Sequence, residues 1–192
     1  MIEQSGKAGR PRSEDARQRV LHAVDDLLQE VGYANLTMKG IAEQAGVGRQ
    51  TVYRWWSTKA EILLEASIED AQEELTVVPT GDPLEDLTLY LEALVRFLAG
   101  SSAGAAYRAV VAAAQHDPAV AELISGHDVL GASARAVLES VLETLPRPAD
   151  PAGLDRASAL LIGPAFYWII SGRDARDLPT RSMAQDVLGQ LT

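Results

Sequence analysis

The 192-residue sequence contains no cysteine. This absence excludes a disulfide scaffold, a thiolate zinc site and a cysteine nucleophile. The three histidines, His22, His116 and His127, lie far apart and none belongs to a Glu-x-x-His pair, so we expect neither a bound metal nor a cofactor. The sequence also lacks a Walker-type phosphate loop and a nucleophile elbow. These absences together predict that the protein is not an enzyme.

Long apolar runs are missing as well. The first 20 residues contain no apolar segment of the kind found in export signals. The longest nearly unbroken apolar stretch, residues 159–170, has 12 residues, whereas a membrane-spanning helix needs about 20. We therefore expect a soluble, cytoplasmic protein with no membrane partner.

Charge is distributed unevenly along the chain, whose formal net charge is −10. Residues 1–59 contain nine lysines and arginines and seven acidic residues, a net charge of +2. Residues 60–192 contain eight basic and 20 acidic residues, a net charge of −12. A basic end on an acidic body is typical of a protein with one surface that approaches a polyanion. Chance clustering on a solvated face remains an equally open explanation.

Hydrophobic residues, 47% of the chain, recur at helical spacing almost throughout, and sustained alternation of period two is absent. Helix-capping signals punctuate this pattern, among them Thr58 followed by Glu61, and Asp82-Pro83 followed by Glu85. The pattern predicts an all-α protein with about nine helices.

The sequence pattern that most clearly indicates a function lies in residues 33–63. Two short helices separated by the turn Gly46-Val47-Gly48 form a helix-turn-helix pattern. The predicted outer face of the second of these helices is Arg49, Gln50, Thr51, Tyr53, Arg54 and Trp55. Arginine and glutamine can form paired hydrogen bonds with guanine and adenine edges, which predicts a helix that reads DNA. An ordinary helical hairpin with a polar outside is the alternative.

The run LTMKGIAEQAGVGRQTVYRWWSTK, residues 36–59, resembles the DNA-binding domain of the TetR family of bacterial regulators. It matches that family's pattern IA-x3-GV-x3-T-x-Y-x-x-F/W-x-x-K, with Trp56 in place of the usual buried phenylalanine. The resemblance implies DNA contacts by Thr37, Lys39, Arg49, Gln50, Thr51, Tyr53, Arg54, Trp55 and Lys59. Arg49 and Gln50 are expected to reach bases, and Lys59 to neutralise a phosphate together with the amino end of the next helix.

The same resemblance implies a domain order. A flexible basic arm, residues 1–12, precedes a helix-turn-helix DNA-binding domain, residues 13–59, and a helical effector-binding and dimerisation domain, residues 60–192. The arm either enters a minor groove or is only a solubilising tail. The expected effector-pocket residues are Tyr90, Phe97, Tyr107 and His116.

Two apolar stripes on the last long helices predict an interface between the subunits of a homodimer. They comprise Leu130, Ala134, Val137 and Val141 on one helix, and Leu154, Ala157, Leu161, Ala165 and Trp168 on the other. The alternative is that both stripes serve only the core of a single subunit. The function so predicted is a repressor that binds a palindromic double-stranded DNA operator as a dimer and is released by an unknown small-molecule effector. A helical protein-interaction adaptor without DNA binding is the second hypothesis.

Overall fold

A computed structural model describes residues 10–145 and 151–191, except for the side chains of residues 10–13, 151 and 152. The helices are α1 (Arg10–Asn35), α2 (Met38–Gln44), α3 (Arg49–Trp55), α4 (Lys59–Glu74), α5 (Pro83–Gly100), α6 (Ser102–Ala114), α7 (Pro118–Gly126), α8 (Val129–Glu143), α9 (Pro151–Ile170) and α10 (Thr180–Leu191). A 3-10 turn, Ala175–Asp177, precedes α10. No strand occurs in these residues, and the predicted all-α class is confirmed.

Helix α1 begins earlier than the sequence predicts. Residues 1–9 of the expected arm lie outside the described residues, but residues 10–12 belong to α1. Pro11 fits the first turn because the amide hydrogen that proline lacks has no helical acceptor there. Near the other end, Gly32 has a φ of +72° and leaves the helical conformation. This is the residue at which the apolar pattern predicts the end of the helix.

The chain divides into two compact units, residues 1–66 and 67–192, and α4 supplies residues to both. In the first unit α2 packs against α1 and α3. Its core side chains include Val20, Val24, Ile41, Val52, Trp56 and Ile62, each at most 3% exposed. This core holds α2 and α3 at the surface of a small helical unit.

In the second unit α5 is the central helix and packs against α6, α8, α9 and α10. Asp82 caps its start by accepting hydrogen bonds from the backbone N–H groups of Leu84 and Glu85, as the sequence predicts. The buried stripe of α5 includes Leu87, Tyr90, Leu91, Leu94, Phe97 and Leu98.

Helices α5 and α6 meet at a close contact around Gly104. A β-carbon at Gly104 would lie only 1.7 Å from the carbonyl oxygen of Phe97, so glycine is required there. The Ser101 hydroxyl caps α6 by accepting from the Gly104 N–H at 2.9 Å. None of the helices in the described ranges has both the length and the hydropathy to cross a membrane.

Candidate DNA-binding surface

The α2–α3 corner is built from a helix cap, a left-handed glycine and a backbone hydrogen bond. The Thr37 hydroxyl accepts from the Gly40 N–H at 3.0 Å and begins α2. Gly46 takes a φ of +62°, which disfavours side chains with a β-carbon, and the following Val47 N–H donates to the carbonyl of Ala42 at 3.0 Å. Thr37, predicted as a DNA contact, therefore already uses its hydroxyl as a helix cap.

The outer face of α3 presents polar side chains to solvent. Arg49, Gln50, Tyr53 and Arg54 are all exposed, and Tyr53 is 56% exposed. Residues at these spacings lie on one side of a helix. On the opposite side Val52 is completely buried. The helix is thus anchored by its inner face and leaves two arginines, a glutamine and a tyrosine available to a ligand.

Two members of the predicted face are less exposed than the sequence suggests. Thr51 and Trp55 are half-buried. The Trp55 ring packs edge-on against Trp56, with centroids 5.4 Å apart, and the Arg54 guanidinium lies 5.5 Å from the Trp55 centroid. Trp55 therefore has packing partners within the chain, because the buried indole of Trp56 extends beside it. Trp56 itself is 3% exposed and belongs to the core.

A single carboxylate lies between two of the predicted DNA-binding cations. Oε1 of Glu43 is 3.8 Å from the Lys39 amine and 3.3 Å from Nη2 of Arg49. The three side chains are 55–61% exposed, so water screens these ion pairs and each is weak. Glu43 was absent from the sequence-based site, although its position four residues after Lys39 is the usual spacing for a helical ion pair.

Lys59 points inward, contrary to the expected phosphate contact. Its amine donates to the carbonyls of Tyr33 at 2.6 Å and Leu36 at 3.0 Å, and lies 4.3 Å from the Tyr33 ring centroid. Partial burial lowers the pKa of the amine. The Lys59 amine is a further donor to the Tyr33 carbonyl, which also accepts from the Leu36 N–H at 3.3 Å, and it contacts the Leu36 carbonyl in the segment between α1 and α2. Its role in this unit is structural.

Glu65 on α4 connects parts of the first unit, and it is not among the site residues predicted from the sequence. Its Oε1 accepts from the guanidinium of Arg17, while its Oε2 accepts from the indole N–H of Trp56 at 2.6 Å. One half-buried carboxylate on α4 thereby connects α1 to the residue that follows α3. An acid among the buried residues of α4 is the sequence signal that could have indicated it.

The expected effector-pocket residues do not line the cavity of about 550 Å³ in the second unit. Tyr90, Phe97 and Tyr107 are core residues, at most 8% exposed, and burial raises the pKa of both tyrosine hydroxyls to about 12. His116 is exposed at the end of α6. Helical spacing places a side chain inside the unit but does not distinguish a packed core from a cavity wall, so an effector contact by these residues stays a prediction.

A cavity of about 550 Å³ lies elsewhere in the second unit, beside α4, α5 and α8. Its apolar lining includes Ile68, Ala71, Leu75, Val129, Ala136 and Val137. Its polar lining consists of Gln72, Thr76, Asp86, His127, Asp128, Ser133 and Ser140. Tyr90 does not line the cavity, but its hydroxyl lies 2.9 Å from Oγ of the lining residue Ser133. The volume and the mixed lining suit a drug-sized molecule.

The expected dimer stripes lie inside the single chain. Leu130, Ala134, Val137, Val141, Ala157, Leu161 and Ala165 are at most 9% exposed, while Leu154 and Trp168 are half-buried. Helices α8 and α9 pack against each other and against α5, and most of these side chains are buried within the single chain. The interior of a single subunit, the alternative, accounts for the buried members of both stripes, and a part of these stripes in a dimer stays a prediction.

The opposite face of α9 is exposed and still apolar. Leu160 is 48%, Tyr167 58% and Ile170 55% exposed, and Ala159, Gly163 and Pro164 are exposed between them. Single exposed apolar residues are ordinary, whereas a contiguous set along one helix marks an interaction surface. We call these six residues the α9 outer face.

Comparisons with known proteins agree with this architecture. The family model described as "Bacterial regulatory proteins, tetR family" matches residues 20–66, and "Tetracyclin repressor-like, C-terminal domain" matches residues 77–187. The chain belongs to the TetR family. The two matches cover the helix-turn-helix and most of the second unit.

Relatives of this TetR-family protein match either almost the whole chain or half of it. An uncharacterized HTH-type transcriptional regulator of Bacillus subtilis, YdeS, is 30% identical over 183 residues, which cover 94% of this chain and 91% of that protein. The regulator AqdR of Rhodococcus erythropolis is 32% identical over 95 residues, half of this chain and 46% of its own.

Two solved structures also match the chain in fold. The TetR family transcription regulator SCO0332 superposes with a TM-score of 0.72 at 25% identity and covers 92% of this chain and 98% of its own. Salmonella enterica GusR gives a TM-score of 0.68 at 20% identity, with coverages of 97% and 99%. The protein is thus a TetR-family transcriptional regulator whose N-terminal unit contains a DNA-binding helix-turn-helix.

Proposed function

We propose that the protein is a repressor that binds a palindromic operator as a homodimer and leaves it when a small molecule occupies the second unit. The observation that carries the DNA-reading part is the outer face of α3, where Arg49, Gln50, Tyr53 and Arg54 are exposed together. Arg49 and Gln50 would contact base edges, and the Tyr53 hydroxyl a phosphate. Such a regulator acts where the genome is, in the cytoplasm.

The remaining predicted contacts take secondary places in this proposal. Lys39 and Arg54 would meet the phosphate backbone, where long exposed cations contribute affinity without sequence information. Thr37, Thr51 and Trp55 would contribute packing beside the backbone. Lys59 is assigned no direct phosphate contact, since its amine already donates to two carbonyls.

Dimerisation is supported by the α9 outer face. Leu160, Tyr167 and Ile170 would be covered by the same residues of a second copy, since a two-fold interface pairs a surface patch with itself. Two copies of α3 would then read half-sites about 34–36 Å apart, or a multiple of that distance.

Release by a small molecule is supported by the cavity of the second unit. Its wall includes Ile68, Ala71 and Leu75, which belong to or directly follow α4, and the amino end of α4 lies in the helix-turn-helix unit. A ligand that binds one state of α4 more tightly would change operator affinity, typically by about 5–150-fold.

The test is selection of DNA from a random pool by the full-length protein, followed by titration of the selected duplex across a salt series. We expect an inverted-repeat sequence and a steep fall in affinity between about 50 and 200 mM salt. Arg49→Ala should relax the sequence preference at one base-pair position, whereas Arg181→Ala, which removes the same charge from the second unit, should leave the preference unchanged. Recovery of no common sequence would contradict the proposal.

A further inference from the structure

The cavity of the second unit has carboxylates in its wall and no matching cation there. Asp86 and Asp128 both line it, and among the described residues that line it there is no lysine or arginine. The other titratable lining group is His127, whose Nδ1 lies 2.9 Å from the carbonyl oxygen of Leu123. The wall of the cavity is therefore largely apolar and carries negative charge.

The two carboxylates differ in how their charge is balanced. Asp128 caps α8 through the Gly131 N–H, and its Oδ2 pairs with Nη2 of Arg135 at 2.6 Å, so its charge is already matched. Asp86 is 3% exposed, and its Oδ1 accepts from the Thr80 N–H at 2.7 Å and the Thr80 hydroxyl at 2.6 Å. Both of these donors are neutral. Asp86 is thus a buried carboxylate in the first turn of α5, where its negative charge meets the helix dipole and two neutral donors but no cation among the residues that line the cavity.

Burial of a charge without an opposite charge is unfavourable, and a ligand that brings the opposite charge relieves this cost. The rest of the wall, including Ile68, Leu75, Val129 and Val137, would cover an apolar body. The space of about 550 Å³ is large enough for several rings. An anionic ligand would meet repulsion from Asp86 instead.

We propose that this cavity binds an apolar organic cation, with the positive group beside Asp86 and the apolar body between α4 and α8. The regulatory part of this inference rests on the proposed function, because it makes the cation the molecule that releases DNA. The binding part does not, since it can be measured on the protein alone.

The test is calorimetric titration of the full-length protein with tetraphenylphosphonium and tetraphenylborate, two ions of similar shape and opposite charge. We expect the phosphonium ion to bind at least about tenfold more tightly than the borate ion, a difference of about 1.4 kcal/mol. Equal affinities, tighter binding of the borate ion, or no binding of either ion would overturn the proposal.

Variants locate the site. Asp86→Asn keeps an oxygen for the Thr80 donors, and it should weaken phosphonium binding about tenfold while leaving borate binding unchanged or stronger. Glu85→Gln is the matched control, because Glu85 is its neighbour on α5, pairs with Arg181 at 3.1 Å and does not line the cavity. Unchanged phosphonium affinity in Asp86→Asn would refute the assignment.

A second variant covers the case in which Asp86→Asn fails to fold. Ala136→Leu adds volume at a lining position of α8 that is exposed, so the fold should tolerate it, and it should abolish binding of the phosphonium ion. Phosphonium affinity that persists in Ala136→Leu, with native helical circular dichroism, would place the ligand elsewhere and overturn the proposal.

Operator binding, followed in parallel by fluorescence anisotropy, separates the two proposals. Loss of operator affinity with added phosphonium ion, absent in Asp86→Asn, would support both. Cation binding that leaves operator affinity unchanged would refute the regulatory part and support the cation site. Failure of the unliganded protein to select any operator would refute the proposed function, while the calorimetry would still decide the chemistry of the cavity.

Discussion

The outer faces of α3 and α9 are both exposed, but one is polar and the other apolar. On α3 the exposed residues are two arginines, a glutamine and a tyrosine, and the inner face is anchored by Val52. On α9 the exposed residues include Leu160, Tyr167 and Ile170, and the inner face is apolar too. The difference indicates the partner of each face, since a polar cationic surface suits a hydrated polyanion and an apolar surface suits another protein surface.

The largest effect on assembly and operator affinity is expected from a charged substitution on the α9 outer face. Leu160→Glu puts a charge in the proposed subunit contact, so we expect the dimer to dissociate to the 20.6 kDa chain. Loss of the second half-site should reduce operator affinity by about a thousandfold, toward non-specific binding. Light scattering coupled to size exclusion measures the mass, and titration of the operator measures the affinity.

The matched control is Val78→Glu, which makes the same kind of change at a residue outside α9 that is 81% exposed. It should leave the mass unchanged. If the wild-type protein is a dimer and the Leu160→Glu protein has the same mass, the two subunits contact each other through a different surface.

The next effect concerns base reading on α3. Arg49→Ala should cost about 1–3 kcal/mol of operator binding and relax the preference at one base-pair position, because a side chain that reads a base edge discriminates there. Affinities for a panel of single-base operator variants measure this. An equal loss on every variant would assign Arg49 to the backbone instead.

A third prediction separates folding from DNA binding at two lysines. Lys59→Met removes the donor to the carbonyls of Tyr33 and Leu36, so the free energy of unfolding should fall by about 1 kcal/mol. Lys39→Met, at a side chain that is 61% exposed, should change stability by less than about 0.5 kcal/mol. Lys39→Met should instead weaken binding to all DNA sequences alike. Urea unfolding and a salt series on the same samples distinguish the two roles.

The smallest effect is expected at Glu43, which partly neutralises the cations beside α3. Glu43→Gln should free Lys39 and Arg49 and raise affinity for DNA a few-fold, in line with exposed ion pairs of about 0.2–1 kcal/mol. The gain should appear equally on non-specific DNA and shrink as salt rises. Weaker operator binding in this variant would mean that Glu43 itself contacts the DNA.

Local signals in the sequence predicted the local structure well. The capping box at Thr58 is present, with the Glu61 N–H donating to the Thr58 hydroxyl at 3.2 Å and the Ser57 N–H to the Glu61 carboxylate at 2.8 Å. Gly46 makes the left-handed turn between α2 and α3. These features depend on residues a few positions apart, which a sequence displays directly.

Features that depend on residues far apart in the chain could not be predicted from the sequence. Helix α9 is apolar around most of its circumference, so periodicity could not tell its inner face, with Leu161, from its outer face, with Leu160. The cavity is formed by α4, α5 and α8 together, and no one of these helices alone indicates a gap. The inward turn of Lys59 depends on carbonyls 23 and 26 residues earlier. Each of these required the packing of whole helices.

The separation of anchoring residues from exposed residues at α3 affects how such a regulator can change its DNA target. The side chains that hold α3 in place, Val52 and Trp56, are different from those that face outward, Arg49, Gln50, Tyr53 and Arg54. Four positions can therefore be randomised in a library while the scaffold keeps its stability. New operators become accessible to such variants by substitution alone, without compensating repair of the fold.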